Sequence, residues 1–169
     1  PFFGPLYMNK EDGIKNQWNF YGGTNWMATA ETCLRGQMDP PSFPVSWHEI
    51  EDITYKIDSH SLYDKMRFSL GNGVYVKTRK LNHPQETFGW RIEHEGKVVV
   101  YTTDNEPYDP ECPDPRLIEL AGMADVWITD CQYTKDIYEG RIGGVSRHGW
   151  GHSYPEAVAR RRTARPRQA

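Results

Sequence analysis

The sequence has no long apolar run and few aliphatic residues. Its longest uninterrupted aliphatic stretch covers residues 98–100, far short of the ~20 apolar residues of a membrane-spanning helix. Leu, Ile, Val and Phe make up about 18% of the 169 residues, a low share that alone indicates disorder. Disordered chains also carry a high net charge, whereas this chain carries only −3 and supplies 6 Trp and 10 Tyr for a core. We therefore expect one globular domain.

Cysteine is scarce as well. Cys33, Cys112 and Cys131 are far apart and odd in number, which argues against a disulfide framework and is typical of a reducing compartment. No pair has the CxxC spacing of a thiolate zinc site. The chain does not open with a basic segment followed by an apolar one, so the sequence shows no signal peptide. We expect a cytoplasmic protein with no membrane partner.

The two ends of the chain differ in composition from the body. The first residue is Pro, and the first seven residues are dense in apolar side chains, which suggests that a further segment precedes them. Residues 160–169 hold five Arg and no acid. Without them the basic residues fall from 20 to 15 against 23 acids, a net charge of −8. Such a tail is either an arm that contacts RNA or a membrane or, as we favour, a disordered or artefactual end.

The hydrophobic pattern predicts strands first and helices later. Strands are predicted at residues 53–57, 66–70, 74–80, 88–94, 97–103 and 124–129. Helices are predicted at residues 28–37, 115–123 and 154–162. Residues 8–30 are predicted to be a loop with at most one short helix, and Glu95-Gly96 a tight hairpin turn. The run at 98–100 predicts a central strand covered on both sides, and 124–129 another buried one. The order indicates an α/β layered domain with a mixed sheet.

Four polar residues follow predicted strands or precede a predicted helix. His83 and Asp104 each follow a strand, Asp130 follows another, and His152 precedes the last helix. Taken singly, each has an ordinary alternative: a structural histidine, a turn or capping Asp, and a glycine-rich loop with a capping Ser. Taken together, they can meet at one rim of the sheet, where open α/β sheets place their ligands. Imidazole and carboxylate groups together suit Zn, Mn or Fe.

These residues lie in a longer resemblance. The run from His83-Pro84 through residues 88–93 and 96–101 to Thr103-Asp104 resembles the metallo-β-lactamase superfold, in its phosphodiesterase and ribonuclease Z-like branch. Residues 125–134, followed by Gly151-His152-Ser153, resemble a second stretch of that branch. The resemblance implies an αββα layered sandwich with mixed sheets, incomplete at both ends, over residues 1–159. The Arg-rich tail of residues 160–169 follows it.

The resemblance also implies roles for the four residues. His83 and Asp104 correspond to metal ligands of the family, and the Asp is the ligand that bridges two divalent transition ions, Zn before Mn or Fe. His152 corresponds to a histidine that lies near the scissile phosphate without binding metal, and we expect Asp130 to orient it by a hydrogen bond. The implied activity is that of a metal-dependent phosphodiesterase.

The chain departs from the family's pattern in two places. The HxHxDH motif, which supplies most ligands of both metals, is absent from the sequence, and so is the family's last metal-binding His beyond the final helix. The histidines present are His48, His60, His83, His94, His148 and His152. We therefore expect an internal fragment of a longer enzyme that is inactive alone.

The substrate and the partners stay open at this stage. The acidic body disfavours a long polyanion, and the projecting Gly/Pro-rich basic arm of transfer-RNA processing members is absent from the sequence. A small phosphodiester therefore ranks above RNA, while other esters, lactones and a homodimer remain alternatives. A hypothesis of a different class is that the chain is a non-catalytic scaffold module that binds a partner or nucleic acid through its basic tail. That module predicts a folded protein without metal, whereas a fragment predicts exposed apolar sheet faces.

Overall fold

The computed structural model describes residues 16–23, 30–37, 39–44, 46, 55–109, 111–112 and 114–163. The chain forms two compact units, Pro1–Leu62 and Tyr63–Ala169. None of the helices in these described stretches has the length and apolar content of a membrane span. All three cysteines are exposed at the surface.

The first unit contains two parallel strands and a helix. Strand β1 spans Asn16–Gly23 and pairs along its whole length with β2, Tyr55–Leu62, while helix α1 spans Ala30–Gln37. The prediction of a loop over residues 8–30 is therefore wrong for β1. Its Asn and Gly residues are disfavoured in strands, but pairing with β2 overrides this local preference.

The second unit contains a five-stranded mixed sheet. Its strands are β3 (Arg67–Gly71), β4 (Val74–Lys80), β5 (Phe88–His94), β6 (Lys97–Thr102) and β7 (Val126–Thr129). They adjoin in chain order, and all neighbours are antiparallel except β6 and β7, which are parallel. Strands β4, β6 and β7 therefore run in the same direction, and their carboxyl ends lie along one edge of the sheet.

The β5–β6 connection confirms the predicted tight turn. Glu95 and Gly96 have φ angles of 47° and 73°, so both central residues are in the left-handed region. This is the backbone of a two-residue hairpin whose twist matches that of the flanking strands. Glycine adopts it without steric cost, whereas Glu95 carries the strain of a side chain in that region.

Helix α2 covers one face of the sheet. It spans Pro115–Ala121, and the Asp114 side chain caps its amino end by accepting from the backbone N–H two residues on. Leu120 packs against Val100 of β6 in the core. At the other end, the Arg91 guanidinium of β5 donates to the Leu120 carbonyl at 3.0 Å, which ties the helix to the sheet.

The described part of the second unit contains two further helices. Helix α3 spans Lys135–Tyr138 and helix α4 spans Pro155–Thr163. Tyr138, Tyr154 and Ala157 form a small buried cluster between them, and burial raises the pKa of the Tyr154 hydroxyl. Helix α4 includes the first four residues of the Arg-rich tail, and residues 164–169 lie outside the described residues.

The apolar runs of β6 and β7 are less covered than the sequence predicts. Val100 is fully buried, but Val99 is 36% exposed, so β6 is central in the sheet and covered on one face only. Strand β7 is at the edge of the sheet, and its Val126 and Ile128 are exposed as well. Because Val99, Val126 and Ile128 are exposed on the face opposite α2, the predictions of a doubly covered β6 and a buried β7 are wrong. On β4, Val76 lies on that same opposite face and is buried.

Candidate metal centre

The predicted site residues of the second unit follow the three strands that run in the same direction. His83 lies three residues after β4, Asp104 two residues after β6, and Asp130 directly after β7. Because the carboxyl ends of these strands share one edge, the side chains are brought together there. His152 approaches the same edge from the loop that precedes α4.

Three side chains form a compact cluster of metal-binding donors. One donor atom each of His83, Asp104 and His152 lies within 4.8 Å of the other two. An ion bound at about 2.1 Å to each donor needs them no more than about 4.2 Å apart, which is slightly less than the 4.8 Å spacing. Two imidazoles and one carboxylate form a donor set that suits Zn, Mn or Fe. The residues present therefore fit a transition-metal ion.

The His83 ring is held on its Nδ1 side. That atom lies 3.2 Å from the Gln85 carbonyl oxygen, the Gln85 backbone nitrogen and the Thr87 hydroxyl. Nδ1 either accepts from the Gln85 backbone N–H or, when it is protonated, donates to the Gln85 carbonyl, and in the second arrangement Nε2 carries the lone pair. Histidine ligands are commonly oriented in this way, by a hydrogen bond from the other ring nitrogen.

Gly151 allows the loop before α4 to lie against His83. Its φ angle is +85°, and an added Cβ would lie 1.9 Å from the His83 Cδ2 atom. Only a residue without a side chain fits this contact. Glycine is therefore required at position 151, directly before His152, by the close approach of the backbone to His83.

His152 forms a tight pair with Asp130. The Nδ1 atom of His152 lies 2.5 Å from Asp130 Oδ2, and Asp104 Oδ1 lies farther away, at 3.7 Å. The other Asp130 oxygen accepts from the backbone N–H groups of Gln132 and Ser153. This carboxylate is only 6% exposed, so its three hydrogen bonds fix its position and, through it, the histidine ring.

An open depression adjoins this pair. It has a volume of about 330 Å³, and its walls include Asp104, Asp130 and His152. The residues His152 and Asp104 therefore border a space large enough for a small substrate group.

Glu106 is a site residue that the sequence analysis did not single out. Its carboxylate is buried and accepts from the Tyr138 hydroxyl at 2.6 Å and from the backbone N–H groups of Gly149 and Gly151 at 2.9 and 3.0 Å. It therefore anchors the loop that carries His152. The one sequence feature that could have indicated its role is its position two residues after Asp104.

The remaining histidines lie outside the cluster. His94 is the exposed last residue of β5, and His148 packs against the Tyr138 ring. His60, in the first unit, is hydrogen-bonded to Asn19 at 2.9 Å. His48 lies outside the described residues.

Comparison with known families decides the assignment. The family model for the beta-lactamase superfamily domain matches residues 15–168. The chain belongs to the beta-lactamase superfamily. The fold expected from the resemblance is thereby confirmed, and the chain has a hydrolase-like fold. A search of curated protein sequences found no match.

Two solved structures show the same fold. The metallo-beta-lactamase fold protein YhfI from Bacillus subtilis is 16% identical, with a TM-score of 0.51 over 82% of this chain and 44% of its own. Human tRNase Z, short form (ELAC1), is 14% identical, with a TM-score of 0.54 over 86% of this chain and 55% of its own. The chain thus spans about half the length of these structures.

Proposed function

We propose that this chain forms part of a metal-dependent phosphodiesterase, with His83 and Asp104 as metal ligands and His152 and Asp130 as the catalytic pair. The observation that carries the proposal is the convergence of His83, Asp104 and His152 within 4.8 Å, with Asp130 bonded to the back of the His152 ring. Membership of a superfamily with a hydrolase fold supports the reaction class.

The proposed cofactor is a pair of divalent transition ions, Zn before Mn or Fe. When bound, such ions lower the pKa of a water molecule so that it attacks as a nucleophile near neutral pH. His83 would contribute Nε2, because its Nδ1 is engaged by the Gln85 and Thr87 contacts. Asp104 is exposed and lines the depression, and its carboxylate has two oxygens, which suits a ligand shared between two ions.

His152 is suited to protonate the leaving oxygen. Asp130 accepts from Nδ1–H, which leaves the opposite nitrogen to carry the transferable proton. The buried carboxylate also stabilises the positively charged imidazolium from which that proton is given. Asp130 is thus a positioning residue, and His152 is the group that touches the substrate.

The proposed substrate is a small phosphodiester rather than RNA. Apart from the last ten residues, the chain carries a net charge of −8, and binding of a long polyanion depends on neutralising its phosphates. The depression of about 330 Å³ beside His152 has the size of a small-molecule site.

The proposal is tested by hydrolysis of a chromogenic phosphodiester, using the natural full-length protein supplied with Zn or Mn. We expect His83→Ala and Asp104→Asn to abolish turnover, and Asp130→Asn to lower it about 10- to 100-fold with metal content unchanged. His94→Ala is the matched control, because it removes an exposed imidazole of the hairpin. Full activity in Asp130→Asn, or an equal loss in His94→Ala, contradicts the assignment.

A further inference from the structure

Three cationic side chains stand next to one another across the second unit's sheet. Arg67 of β3 is opposite Lys77 of β4, and Lys77 is opposite Arg91 of β5. Directly opposed residues of antiparallel strands share a face, where like charges destabilise the pairing. The row therefore costs stability unless negative charge lies close to it.

The acids of the protein offset only part of this charge. Glu93 accepts from both Arg91 at 2.6 Å and Lys77 at 3.0 Å, and these hydrogen bonds lower its pKa. Arg67 has no carboxylate partner among the described residues, and neither does Lys65. The positive charges of Lys65 and Arg67 are therefore not balanced by a carboxylate of the described residues.

The surplus cations border a cavity. It has a volume of about 320 Å³ and lies between the sheet and the end of α2. Its charged lining consists of Lys65, Arg67, Lys77, Arg79, Arg91 and Glu119. The metal-donor residues His83, Asp104 and His152 do not line it, so it is a separate site.

Lys65 adds a positive charge to the cavity, whereas Arg79 forms ion pairs with Glu119 and Asp64. The Arg79 side chain is 8% exposed, and its Nη1 has no hydrogen-bond partner among the described residues, with Asp64 Oδ2 at 3.6 Å. Lys65 has a φ angle of +63°, which is costly for a residue with a side chain. Its backbone N–H donates to the Thr78 carbonyl at 3.1 Å, which holds Lys65 beside the cavity.

We propose that this cavity binds the phosphate group of a small molecule, at a site separate from the metal centre. A phosphate dianion matches the two surplus charges of Lys65 and Arg67. The planar guanidinium of Arg67 suits two parallel hydrogen bonds to phosphate oxygens, and Lys65 adds a point charge. The site neither depends on nor requires the proposed hydrolytic activity.

The test is isothermal titration calorimetry, in which inorganic phosphate is titrated into the full chain. The protein is first dialysed against a chelator, so that bound metal ions cannot account for phosphate binding. We expect saturable binding that weakens about tenfold in Arg67→Gln and in Lys65→Gln, because each change removes a charged hydrogen-bond donor. Lys97→Gln is the matched control: it removes one positive charge from an exposed lysine on the β5–β6 hairpin.

Circular dichroism checks that each variant is folded, which we expect because the substituted side chains are exposed. Wild-type affinity in Lys97→Gln with loss in the other two variants supports the site. An absence of saturable binding, or an unchanged affinity in Arg67→Gln, overturns the proposal. An equal loss of affinity in Lys97→Gln overturns it as well, because phosphate binding would then depend only on the net charge of the protein. Binding that persists in His83→Ala supports the site even if the proposed hydrolase activity fails.

Discussion

Single residues decide how closely the donors of the metal centre approach one another. The backbone of Gly151 lies against the His83 ring, and Gly149 precedes it by two residues, also with a positive φ angle, +81°. The two glycines share a left-handed backbone conformation but differ in surroundings, since a Cβ at Gly149 meets nothing within 4 Å. They therefore allow backbone strain and steric exclusion to be separated.

We predict that Gly151→Ala damages the site far more than Gly149→Ala does. Both changes cost about 1–2 kcal/mol for placing a side chain in the left-handed region, but only the first also drives a methyl group into His83. Urea unfolding and zinc affinity, measured for both variants, check this. Equal losses in the two variants would show that the contact with His83 is unimportant.

At the level of single residues, the sequence predicts some of the site residues and not others. His83, Asp104 and Asp130 could be found because each follows a strand, and strand direction determines which edge they share. Glu106 could not, because its three bonding partners lie 32 to 45 residues away along the chain. A buried carboxylate with distant donors has no local sequence pattern that identifies it.

Among elements, Glu106 connects the segments that carry the donors. Its backbone N–H donates to the Asn82 carbonyl, beside His83, at 2.9 Å. Its carboxylate bonds to Tyr138 of α3 and to the loop before His152. The segments after β4 and β6 and the loop before α4 are therefore held together by one residue, through its backbone N–H and its carboxylate, and the site's geometry depends on their relative placement.

We predict that Glu106→Gln lowers the free energy of unfolding by about 1–3 kcal/mol, because an amide nitrogen then faces a backbone N–H and leaves buried groups unpaired. Tyr138→Phe removes one hydrogen bond and should cost about 1 kcal/mol. Glu95→Gln, at an exposed hairpin position, is the control for the charge change. Urea unfolding measures all three, and a wild-type value for Glu106→Gln would contradict the anchoring role.

Elements were predictable where their pattern was local. Strands β4 and β5 have the predicted bounds, since alternation and a turn define each one. Strand β1 was missed because its partner β2 is about 40 residues away and its own composition disfavours strands. The coverage of β6 was misjudged because a run of valines reports hydrophobicity but not which face of the sheet is packed.

For the whole molecule, the central claim is that His83 and Asp104 hold metal ions. The chain spans 44% and 55% of the two structural relatives, and the described residues supply three donors at one sheet edge. Two of these donors, the imidazole of His83 and the carboxylate of Asp104, are the metal ligands in this account, and the natural full-length protein should retain its transition-metal ions through purification.

The most direct test is the metal content of the natural full-length protein, measured by mass spectrometry. We expect about two transition ions per chain, fewer in His83→Ala and Asp104→Asn, and an unchanged number in His94→Ala. His152→Ala should also keep its ions, because we assign that side chain to proton transfer. A folded protein without bound metal would contradict the account and favour a non-catalytic scaffold.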